Sequence, residues 1–152
     1  MTRSRLLLAL ALVSLLLGAA AYLYDPPWIA RVTSGLRDWE EDPPGTRFRW
    51  TTGRASFFVP RDATVMTLPM RALFPGPNGA PVVVEISVDD RWLAEIVLAD
   101  ADAWHRPVLP LPRRPTHRRH RRVDLRVSRT VGPFILGVQT GEIALERPAS
   151  GR

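Results

Sequence analysis

Apolar positions follow two different periods along this chain of 152 residues. From Leu6 to Tyr24 the side chains are almost unbroken Leu, Ala and Val, with Ser14, Gly18 and the tyrosines at 22 and 24 as departures. Those nineteen residues, at about 1.5 Å each, nearly cross a hydrocarbon core of roughly 30 Å, which predicts a membrane-spanning helix within residues 1–24. From residue 47 the period becomes two. Val82, Val84, Ile86 and Val88 alternate with Val83, Glu85, Ser87 and Asp89, and Val123, Leu125 and Val127 alternate with Arg122, Asp124, Arg126 and Ser128. Such alternation predicts half-buried strands. Further strands are predicted over Phe48–Thr51, Ala55–Val59, Thr64–Leu73, Trp92–Leu98, Pro107–Leu111 and Phe134–Leu145, the last interrupted near Gly137 or Gly141. Asp89-Asp90 suits a hairpin turn, and Pro75-Gly76-Pro77-Asn78-Gly79 is built from chain-reversing residues.

About eight short strands with turn signals between them, and no long helical period, predict an all-β domain over 47–146. We expect an antiparallel β-sandwich of jelly-roll type, with a small barrel as runner-up. Residues 25–46 read as a connector bounded by Pro26-Pro27 and Pro43-Pro44-Gly45. Within it Trp28, Val32, Leu36 and Trp39 are spaced for one face of a short helix, which Thr33-Ser34-Gly35 weakens. Residues 147–152 are expected to form a frayed tail.

Arg3 and Arg5 precede the apolar run, which favours a cytoplasmic N-terminus and an extracytoplasmic domain, periplasmic or at the cell surface. A secretory signal peptide competes, because Ala19-Ala20-Ala21 offers a cleavage site. The run is longer than a usual signal core of about 7 to 15 residues, so an uncleaved, single-pass anchor is the preferred reading. No cysteine occurs, which excludes disulfides, thiolate chemistry and cysteine-ligated metals.

All twenty-one basic residues are arginine. The absence of lysine excludes Schiff-base chemistry and a lysine-containing phosphate loop. The formal net charge of +6 suggests nucleic acid until its location is considered. Arg113, Arg114, Arg118, Arg119, Arg121 and Arg122 supply six charges within ten residues, and 6 − 6 leaves none for the remainder. An exported domain with one local patch has no call for a nucleic-acid partner. These six arginines are candidates for binding anionic envelope material, such as phosphorylated lipid or acidic polysaccharide, from an exposed loop over 112–122; the bland alternative is a solvated loop.

Catalytic chemistry finds little support. Of His105, His117 and His120, the last two lie among arginines, where positive charge opposes both protonation and a divalent cation. No nucleophile elbow and no His-Glu-x-x-His occurs. Asp100-Ala101-Asp102 reads as a solvated turn rather than a calcium or nucleotide-metal site. No enzyme activity, cofactor or metal is therefore expected. Trp104, Trp50 and Trp92 matter more, because a flat apolar ring can stack on a sugar, although core packing is the default for each. Alternation with Ala94, Ile96 and Leu98 places Trp92 inward. Trp50, between Arg49 and Thr51, is expected to close one end of the core, with both neighbours on the opposite side. The exposure of these three rings decides between packing and binding.

Gly35-Leu36-Arg37-Asp38-Trp39-Glu40, the stretch Gly45–Ala55 with Arg49-Trp50-Thr51, and Leu136-Gly137-Val138 before Ile143-Ala144-Leu145 carry a resemblance. Over residues 35–145 the chain resembles an extracytoplasmic β-sandwich domain attached to bacterial multi-spanning membrane glycosyltransferases that use lipid-linked sugars. The multi-spanning transferase domain is absent, so the resemblance implies an accessory, glycan-associated sandwich with no catalytic residues. The expectation is a non-catalytic, membrane-anchored envelope protein that binds an envelope glycan or a glycan-processing membrane protein. The alternative is a module that contacts only protein or anionic lipid, with an enzyme the weakest reading.

Overall fold

The computed structural model describes residues 3–113 and 115–148. Helix α1, Arg3–Tyr24, has no buried residue and is long and apolar enough to cross a membrane, a test that a signal sequence also passes. Eleven strands follow among the described residues: β1 Ser34–Leu36, β2 Glu40–Glu41, β3 Arg47–Pro60, β4 Val65–Thr67, β5 Met70–Arg71, β6 Val82–Val88, β7 Arg91–Leu98, β8 Val108–Pro110, β9 His120–Val127, β10 Gln139–Thr140 and β11 Ala144–Glu146. All pair antiparallel. The large sheet runs β5-β10-β3-β9-β6-β7, with β1 and β2 also on β3, and the small sheet runs β11-β4-β8.

The predicted all-β antiparallel sandwich is the observed architecture. Alternation dictates its core: Ala55, Phe57 and Val59 from β3, the even-numbered residues of β6, and Val123, Leu125 and Val127 from β9 are buried. They pack in one cluster with Met66, Leu68, Leu109 and Leu111 from the small sheet and its flanks. Asp89 and Asp90, with φ of 52° and 61°, make the two-residue hairpin turn that the sequence signalled.

Three segments depart from expectation. The helix predicted across Trp28, Val32, Leu36 and Trp39 is replaced by a single 3-10 turn, Ile29–Arg31, followed by β1 and β2. At Gly35 φ is +63°, and an added Cβ would lie 1.9 Å from the Arg54 carbonyl oxygen, so the chain here is moulded to β3 and not to a helix. The strand expected over Thr64–Leu73 is divided between the two sheets at Pro69, where a ladder donor is missing. In the region Phe134–Leu145, residues 132–135 form a turn and only β10 and β11 are extended.

β3 reads as one strand of fourteen residues but changes phase inside it. Phe48 and Trp50 are buried, and so are Ala55, Phe57 and Val59, five residues on from Trp50 and thus on the opposite parity. Thr51 is fully buried beside Trp50, contrary to the expectation that it faces away. Its Oγ1 donates to the Val138 carbonyl at 3.0 Å and accepts from the Val138 N–H at 2.9 Å. Gly137 permits this approach, since a Cβ there would sit 2.6 Å from Thr51 Oγ1.

Candidate functional site

Trp92 is 70% exposed, which corrects its expected inward placement. The cause is a β-bulge. β6 and β7 pair Ile86 with Ala94 but Ser87 with Trp92, which leaves Leu93 as the extra residue. Leu93, Ala94 and Ile96 pack against the core, so one inserted residue reverses the phase and turns Trp92 onto the outer face.

Strand register then builds a site around it. Ser34 pairs with Ser56, Ser56 with Asp124, Asp124 with Ser87, and Ser87 with Trp92, a row across β1, β3, β9, β6 and β7. At about 4.8 Å per strand step the row is roughly 19 Å long, enough for a short oligosaccharide. These residues line an open groove of about 490 Å³, together with Arg54, Glu85, Asp90, Arg122 and Arg126. Small hydroxyl side chains keep the middle of the row low, and the indole stands at one end.

The polar groups of the groove are held by one another. Arg122 donates through Nε to Asp124 at 2.9 Å and through Nη2 to Asp90. The Asp124 hydrogen bond raises the Arg122 pKa above its ordinary value, so this guanidinium stays charged. Arg126 lies 3.7 Å from Glu85. Three arginines and three carboxylates line the groove, and their charges cancel.

The other tryptophans behave differently. Trp50 is 7% exposed, stacked on Phe74 at 5.9 Å and edge-on to Phe48 at 6.4 Å, so its ring is a packing group and not a ligand platform. Trp104 is half-buried, with the Arg71 guanidinium 4.8 Å over its ring. Arg71 in turn donates to Gln139 at 2.8 Å and pairs with Asp42 at 3.4 Å and Asp102 at 3.1 Å. The Asp100–Asp102 turn is thus tied to an arginine, and no cluster of three or more potential metal ligands occurs among the described residues. Beside Trp104 lies a smaller recess of about 350 Å³ lined by Arg47, Arg106 and Glu142 among others. Nearby, Arg49 lies 4.5 Å over the Trp39 ring, and burial lowers its pKa.

The arginine run is not one exposed loop. β9 begins at His120, so Arg121 and Arg122 belong to a strand. Arg121 is 1% exposed, with Nε 3.2 Å from Asp89 and Nη1 donating to the Pro112 carbonyl at 2.9 Å. Arg122 is spent on the groove. Arg113, Arg118 and Arg119 are exposed, and Arg114 lies outside the described residues.

Sequence reasoning overlooked Ser34, Ser56, Ser87 and Asp124, because single serines in strands carry no motif. Only strand register aligns them.

No protein-family model matches the chain, and no curated protein does. Solved structures similar to it include the following two. One is a family two carbohydrate esterase from Clostridium thermocellum in complex with cellohexaose, at 12% identity and a TM-score of 0.45; the match covers 80% of this chain and 34% of that one. The chain therefore spans about a third of the esterase. The other is the C-terminal CBM6 of LamC, a marine laminarinase from Zobellia galactanivorans, at 9% identity and a TM-score of 0.43, covering 74% of this chain and 88% of that one. Neither likeness extends to membrane glycosyltransferases or bears on ligand choice.

Proposed function

We propose that the protein is a non-catalytic, membrane-anchored envelope protein that binds a neutral glycan in the outer-face groove. The single observation that carries this reading is Trp92, an indole 70% exposed at the end of a row of serines and one aspartate. A flat apolar ring serves the C–H face of a sugar, while hydroxyl, carboxylate and guanidinium groups serve its hydroxyls. Charge argues for a neutral ligand. In a chain of net +6, the groove carries three positive and three negative side chains. A polyanion would meet as much repulsion as attraction there. Each groove carboxylate is engaged by an arginine, so none is presented as a free acid or base, which supports a binding role over hydrolysis. Arg3 and Arg5 at the start of α1 support a cytoplasmic N-terminus and an extracytoplasmic domain, where glycans are met.

The test is titration of the full chain, held in zwitterionic micelles, with neutral and acidic oligosaccharides. Neutral oligomers are expected to bind, and Trp92→Ala to weaken them by about 2 kcal/mol, roughly thirtyfold, with an unchanged melting temperature. Preference for acidic oligomers, or an affinity indifferent to Trp92, would overturn the reading.

A further inference from the structure

We propose that the base of the domain, where α1 ends, binds the phosphate of anionic membrane lipids. The proposal is independent of the groove and rests on α1 lying in a bilayer. Tyr24, at the last position of α1, lies between two recesses and lines both. The first, about 650 Å³, is bounded by Ala21, Asp25, Arg61, Asp62, His117 and Arg119. The second, about 400 Å³, is bounded by Asp89, Arg91, Pro115, Thr116 and Arg118.

The domain is fastened to the helix at this point. Arg119 donates its backbone N–H to Asp25 Oδ2 at 3.0 Å and places Nε 3.4 Å from the same oxygen. The Arg118 guanidinium lies 4.9 Å over the Tyr24 ring. Tyr22 and Tyr24, both about half exposed, are the amphipathic aromatics that settle at the level of lipid headgroups. The recesses on either side of Tyr24 therefore open at that level.

Charge separates this surface from the groove. The acids at the base are already used: Asp25 by Arg119, Asp62 by Arg147 at 3.8 Å, and Asp89 by Arg121. Arg61, Arg91 and Arg118 are exposed, and none of them has an acidic partner among the described residues. Arg61 is steered into place by donating Nη1 to the Thr116 carbonyl at 3.3 Å. Free guanidinium forks match phosphate oxygens in geometry and charge. Anionic lipid supplies that phosphate in the same plane at high local concentration.

The full chain in zwitterionic micelles is titrated with short-chain phosphatidylglycerol, short-chain phosphatidylcholine and free glycerol phosphate. Near an anionic surface each basic residue contributes about fivefold, so three predict a preference for phosphatidylglycerol of roughly a hundredfold, shrinking as salt rises. The triple variant Arg61→Gln, Arg91→Gln, Arg118→Gln is expected to lose it, and the triple Arg→Lys variant to keep most of it. Equal affinity for the two lipids, an unaffected glutamine variant, or a lysine variant as poor as glutamine would each overturn the proposal. Free glycerol phosphate binding as tightly as phosphatidylglycerol would overturn the assignment to lipid.

Discussion

Buried and exposed positions of the large sheet carry the same conspicuous residue types. Trp50 and Arg121 are buried, one 7% and the other 1% exposed; on the outer face stand Trp92, 70% exposed, and Arg122. Arg121 and Arg122 are consecutive in one strand. Residue type therefore does not decide between packing and binding here; strand phase does, and phase is set by short local irregularities. Thr51 to Gly53 shift it within β3, and Leu93 shifts it within β7.

The contrast breaks first at Trp50. Trp50→Ala removes a ring packed between Phe48 and Phe74 and is expected to cost about 3 to 5 kcal/mol, read as a lower denaturant midpoint. The neutral oligosaccharide titration of the surviving folded protein should be unchanged. A Trp50→Ala variant with native stability and lost glycan affinity would reverse the roles of the two tryptophans.

Arg121→Ala comes next. It leaves Asp89 and the Pro112 carbonyl without their buried donor. Breaking a buried pair costs about 3 to 5 kcal/mol, and because Asp89 is 41% exposed and can be rehydrated, the expectation here is about 2 kcal/mol by chemical denaturation. The smallest effect is expected at Asp124→Asn, on the outer face. Its bond to Arg122 is partly solvated, so stability should change by about 1 kcal/mol or less while glycan affinity falls. A stability loss at Asp124 matching that at Arg121 would show that the groove is a structural ion network and not a ligand surface.

How far these outcomes could be anticipated differs by element. Val82–Val88 and Val123–Val127 were legible because their two faces differ in polarity, and the Asp89-Asp90 turn because both residues tolerate positive φ. In Trp92-Leu93-Ala94-Glu95-Ile96-Val97-Leu98 alternation places Ala94, Ile96 and Leu98 inward, as they are, but Leu93 is as apolar as its neighbours, so the bulge that turns Trp92 outward leaves no mark in the run. Arg121 continues the inward parity of Val123, Leu125 and Val127, a signal that the surrounding basic run obscures. Its partner Asp89 lies thirty-two residues away, a pairing that no local pattern contains. The same holds for the row from Ser34 to Trp92, which register across five strands creates. The apolar helix α1 was legible in the sequence, but its end was not legible as the floor of two arginine-walled recesses, since Arg61, Arg91 and Arg118 come from three separate parts of the chain.

The bulge at Leu93 lies in β7, which ends the large sheet and has a neighbour on one side only. Regular edge strands offer a free row of backbone donors and acceptors to any copy of the same chain. Here the extra residue bends that row, and the exposed Arg91 and Glu95 place charge along it. The kink that presents Trp92 thus also discourages strand-to-strand addition, so copies brought close together are kept from polymerising through their sheets.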